Sequence, residues 1–185
     1  MSGSGASPFA GNVAFVLPDA GLAVVAAVGC GTRELRRVAQ QQSRDLPAVV
    51  PVPALPALRF MCRGLRVAAL WRDPVARLAH VRSRWVAGDI DYARWVGIQE
   101  HTDWSRFVDF VELELGKRDP LRMHPTLRPQ HTVWPSRLDQ VLNHDDLGGL
   151  LGRHPCESHL PLPPDEVCRR VRDLYRVDAE SAPLR

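Results

Sequence analysis

Apolar residues along this chain come in short runs separated by turn residues. Val13–Leu17 and Leu22–Val28 flank Pro18-Asp19-Ala20-Gly21, whose Pro, Asp and Gly favour a turn, so this segment predicts two neighbouring core strands. The period then changes. Thr32–Gln42 is rich in helix formers with Leu35 and Val38 on one face, so a strand feeds a helix through Gly29-Cys30-Gly31-Thr32. Pro47–Pro56 is punctuated by prolines, which cannot complete a sheet ladder, and reads as a connection. Leu65–Trp71 predicts the next buried strand, stopped by Arg72-Asp73-Pro74 and followed by a helix over Val75–Val86. A second amphipathic helix spans Trp104–Leu115, with Phe107, Val108, Phe110 and Val111 inward. Gly116–Pro135 is a long polar loop rich in Arg, His and Pro, of a length more often functional than incidental. Arg137–Leu142 predicts another strand, Asp145–Leu151 a short helix, and Pro164–Tyr175 a final helix with a Pro-Pro-Asp-Glu start. Strands alternating with helices predict a three-layer α/β fold, a mostly parallel sheet flanked by helices.

Composition refines this picture. A chain of 185 residues suffices for one well-buried domain, expected over residues 13–180 between a flexible N-terminus (1–12) and a short tail (181–185). The 16 prolines and 13 glycines imply long ordered connections. The net charge of +3 suits an anionic ligand, but acids and bases are interspersed, so a general nucleic-acid reader is not implied. Only Lys117 among the 24 basic residues is a lysine, so cationic roles fall to arginine. Cys30, Cys62, Cys156 and Cys168 lack metal-site spacing and read as separate reduced thiols. No signal-peptide pattern and no apolar run of about 18 residues is present, so the expectation is a soluble, cytoplasmic protein that does not engage a membrane.

Backbone N–H groups in a glycine turn, together with the positive end of a helix dipole, favour a phosphate oxyanion. Gly29, Cys30, Gly31 and Thr32 form such a turn, and the Thr32 hydroxyl adds a donor. A tight strand–helix turn without a ligand is the plainer alternative. Arg72 ends a strand, which places a guanidinium at the mouth of the sheet, where a bidentate bond to a second phosphate is possible. Arg77 can pair with Asp73, and the plainer alternative is a solvated basic helix with Arg72 capping a structural carboxylate.

Taken in order, the glycine turn, "RDPVAR", "TLRPQ", "LDQVLNHDDL" and "VRDLYRVDAES" resemble the carbohydrate-type sulfotransferases over roughly Val13–Glu180. That resemblance implies a P-loop-kinase-like fold and sulfuryl transfer from 3′-phosphoadenosine 5′-phosphosulfate to a hydroxyl, on a carbohydrate or another small glycosylated acceptor. It implies that Ala26–Thr32 binds the 5′-phosphosulfate and Arg72 the 3′-phosphate. Leu127–Gln130, with Arg128, would close over the nucleotide, and the tyrosine and aspartate of Leu174–Glu180 would be structural. The chain departs from the family pattern at three places: Ala26-Ala27 stands for proline-lysine, His80 for a serine, and Thr126 for a histidine. On that resemblance Arg33 or Arg36 would substitute for the missing ammonium, and Ser83 or His80 itself would serve the 3′-phosphate. Arginine differs from lysine in offering a planar fork.

Transfer to a hydroxyl wants a general base, and His101, His124 and His131 flank the loop; His124, beside the nucleotide-loop motif, is preferred. Of Trp71, Trp85, Trp95, Trp104 and Trp134, the last is the one expected in a sugar-binding cleft, the rest being core or rim anchors. No metal is expected; His144, Asp145 and Asp146 are better explained by Asp145 capping a helix. Two functional readings follow: an active sulfotransferase, or a degenerate member acting as a binding or structural module with a protein partner. A P-loop phosphotransferase ranks last, because GxxxxGK[ST] is absent.

Overall fold

The computed structural model of the chain describes residues 13–117, 122–152 and 160–183; the expected N-terminal segment and Cys156 lie outside them. The five strands are β1 (Val13–Leu17), β2 (Leu22–Ala26), β3 (Val49–Pro51), β4 (Arg66–Trp71) and β5 (Gln140–Asn143). They form one sheet in the order β3-β1-β2-β4-β5. Among the described residues there are eight α-helices: α1 (Thr32–Gln42), α2 (Leu55–Met61), α3 (Pro74–Val86), α4 (Asp91–Trp95), α5 (Trp104–Leu115), α6 (Leu147–Leu151), α7 (Asp165–Leu174) and α8 (Arg176–Glu180).

The fold is α/β, but the sheet is mixed rather than mostly parallel. β2 pairs parallel with β4, and β4 with β5, whereas β1 runs antiparallel to both β2 and β3. The reason is the first turn. Pro18–Ala20 forms a 3₁₀ turn closed by Gly21 at φ +62°, and so short a link makes only a hairpin, since a parallel crossover takes a dozen or more residues. The proline-rich connection also holds a strand, β3. It lies at the sheet edge, where Pro51 leaves no ladder bond unmade. The helices α2, α4 and α8 lack a pattern long enough to announce them.

All five residues of β2, and β4 after Arg66, are buried, so chain covers the sheet on both faces. The apolar residues fall into two clusters. One joins the strands to Leu35, Val38 and Ala39 of α1, Leu55 and Leu58 of α2, and Leu147 of α6. The other is helical: Trp85 and Leu78 of α3, Phe107, Val108 and Val111 of α5, Val171 of α7, and Tyr175. Trp85 is edge-on to Phe107 and Tyr92. No helix among the described residues is long and apolar enough to cross a membrane.

Candidate functional site

β2 and β4 are adjacent and parallel, and the chain leaves them toward opposite edges, from β2 to β3 and from β4 to β5. Such a divergence opens a crevice at the carboxyl ends of the strands. The turn Ala27–Gly31 follows β2 there, and Arg72 follows β4. Gly29 and Gly31 adopt φ +90° and +74°, which L side chains rarely tolerate. Close approach restricts them further. A Cβ on Gly29 would lie 3.1 Å from Val81 Cγ2 and 3.2 Å from Arg77 Cγ.

Gly31 is also the residue on which α1 begins, and no side chain caps that helix. By contrast, Asp73 accepts from the Val75 and Ala76 amides at the start of α3, and Asp103 from the Arg106 amide at the start of α5. The first amides of α1, with its dipole, therefore remain available to an anion. Thr32 opens the helix half-buried, and Arg33 is exposed beside it. Ala27 is buried and brings no charge.

Arg72 donates from Nη1 to the Gly29 carbonyl at 2.8 Å, so the strand-end arginine and the glycine turn touch. Gln130 Oε1 accepts the Arg72 amide at 3.0 Å, and Gln130 Nε2 donates to the Arg72 carbonyl at 2.8 Å, as a neighbouring strand would. The same Oε1 accepts Cys30 Sγ–H at 3.1 Å. Burial pushes the Cys30 thiol up to about 11, against the pull of Arg77 and Arg72. It is a neutral thiol at physiological pH, and only its backbone faces the crevice chemistry.

Arg77 is the residue that sequence reasoning misread. It does not pair with Asp73, whose carboxylate caps α3. Its guanidinium, 2% exposed, donates to the carbonyls of Val28 at 3.0 Å, Thr126 at 3.0 Å and Arg128 at 2.7 Å. The turn after β2 and the loop 126–130 are thereby tied to one cation. The loop is held from its other side by Tyr175, which donates to the Leu127 carbonyl at 2.7 Å, and by Asp178. Asp178, fully buried, accepts the Gln130 amide at 2.6 Å, the His131 amide at 3.0 Å and His131 Nδ1 at 2.8 Å. Trp71 Nε1 donates to the Asp178 carbonyl at 2.6 Å, tying the clamp to β4.

The remaining expected residues are spread around this knot. Arg128 is buried and folds back, its Nε donating to the Met123 carbonyl. His80 and Ser83 lie one turn apart on α3, and the Ser83 hydroxyl donates to the His80 carbonyl at 2.8 Å. His124 shares its Nδ1 with the Thr126 hydroxyl at 2.8 Å, stacks parallel on Tyr92 at 5.5 Å, and meets the turn only through Thr126 and Arg77. Burial holds its imidazole below the usual histidine value. His101 is exposed. His144 lies over Gly31, where an added Cβ would meet its Nε2 at 3.3 Å; its partner motif was read only for capping. That cap is not Asp145: Asn143 accepts the Asp145 amide instead, because the 3₁₀ turn His144–Asp146 begins one residue earlier than the pattern suggests.

Trp134 is half-buried against the sheet cluster, Trp85 is core, and Trp95 is 87% exposed. Scans against protein-family models, curated proteins and solved structures found no match for this chain.

Proposed function

We propose that this chain is a sulfotransferase-like domain that binds 3′-phosphoadenosine 5′-phosphosulfate at the crevice between β2 and β4. The observation that carries the reading is the meeting of Arg72 with an uncapped, glycine-hinged helix start, two anion-binding features on adjacent parallel strands. The amides of the turn and of the first residues of α1 would hold the 5′-phosphosulfate, and Arg72, with Ser83 or His80, the 3′-phosphate. The bound donor supplies the sulfuryl group, which passes to a carbohydrate hydroxyl as the bond from sulfur to the departing phosphate breaks. His124, whose imidazole burial holds below the usual histidine value, is the base assigned to the hydroxyl proton, acting across Thr126, through which it meets the turn. Arg33, exposed at the helix start, is the cation assigned to balance charge on the departing phosphate, since Ala27 supplies none.

A second reading has a specific observation behind it. Arg72 and Arg77 both spend donors on backbone carbonyls, as arginines do in a structural knot, so a degenerate member kept as a binding module is the competing reading. A thermal melt with 3′-phosphoadenosine 5′-phosphate separates the two. An operating site gives about 2.7 kcal/mol of added stability at a ligand concentration about 100 times the dissociation constant, a shift that Arg72→Ala removes and Arg72→Lys weakens. No shift at millimolar ligand, with the protein folded, assigns the turn to structure alone.

A further inference from the structure

A second cavity lies away from the turn. It is a groove open to solvent, of about 890 Å³, between α2 and the segment 135–139, over Val67. Val67 precedes Arg72 by five strand residues, roughly 16 Å along the chain at about 3.3 Å each, so the cavity is separate from the crevice. Its walls are apolar and stiff: Val52, Leu55, Val67 and Leu138, with Pro53, Pro56 and Pro135. A volume of this size falls within the range of small-molecule sites, about 300–1,000 Å³.

Its charges are few and unequal. Asp139 is already satisfied, accepting the Val67 amide at 2.6 Å on one oxygen and Arg59 Nη2 at 3.1 Å on the other. Arg137, exposed at the rim, makes no ion pair among the described residues. The lining therefore carries one cation in excess over an apolar body. Phe60, four positions after Pro56 on α2, is 88% exposed and is not among the residues that line the cavity.

We propose that this cavity binds a small amphipathic carboxylate, its hydrocarbon body between the prolines and its anionic head on Arg137. The complementarity of one surplus guanidinium with a largely apolar groove, whose other charges, Arg59 and Asp139, pair with each other, selects an acid over an uncharged molecule of the same shape. The site does not depend on the nucleotide reading, and its test uses no nucleotide.

The test is titration calorimetry on the full chain with dodecanoate and with dodecanol, each below its aggregation concentration. The variants are Arg137→Ala and Ser136→Trp, both at exposed positions, with folding checked by circular dichroism. Wild type should bind one dodecanoate, about tenfold more tightly than dodecanol; Arg137→Ala should erase that preference, and Ser136→Trp, which fills the mouth, should remove both. Absence of saturable binding, equal affinity for acid and alcohol in the wild type, or dodecanoate binding untouched by Ser136→Trp would overturn the proposal.

Discussion

A methyl group at Gly31 would sit 2.8 Å from Leu147 Cδ2, on a backbone already at φ +74°. Both the conformation and the contact oppose it, so Gly31→Ala should destabilise the protein by about 1–3 kcal/mol, read as a lower urea midpoint at unchanged slope. Gly21→Ala is the informative companion, because nothing lies within 4 Å of its Cβ position and only the strain of a φ of +62° remains. The two glycines of the turn were legible in the chain, since a strand-to-helix reversal this tight calls for left-handed backbone. The direction of the Cys30 side chain was not. It is set by what fills the space behind the turn, here Gln130, one hundred positions away.

At the scale of elements, the helices with a sustained face and a marked start were legible: α1, α3 and α5 begin and end within a residue of where periodicity and turn chemistry put them. Among the short elements, β5 and α6 were expected at nearly their places, whereas α4 and α8, at five residues each, were not. Arg77 shows a different limit. Its three acceptors are backbone carbonyls 49 to 51 positions away, and a carbonyl is the same whichever residue bears it. Removing the cation leaves those buried acceptors without a donor, so Arg77→Met should cost about 3–5 kcal/mol in urea unfolding. Arg170, at the surface between α7 and α5, bonds Asp109 at 2.7 Å and Glu112; its replacement by alanine should leave the midpoint close to wild type.

For the whole molecule, burial of titratable groups sets the response to alkali. The Cys30 thiol titrates near 9.0 when exposed and about 11 when folded, and burial likewise raises Tyr175 above 10.0. Both groups are neutral in either state well below pH 9; as pH passes through 9 the unfolded thiol ionises first, so stability is intact well below that point and falls as pH rises toward 11. The loss from Cys30 is about 2–3 kcal/mol, and Cys30→Ala should flatten this part of a plot of urea midpoint against pH. What the sequence by itself determined was the alternation of strands and helices, the glycine turn and the arginine at the strand end, because these follow from local period and turn chemistry. The tertiary structure alone decided that the sheet is mixed, that Arg77 ties the turn after β2 to the loop 126–130, and that Asp178 and Tyr175 hold the loop 127–131 against β4. Those outcomes depend on which distant backbone groups find donors once the strands have paired, and hydrogen-bonding partners of that kind leave no mark on residue type.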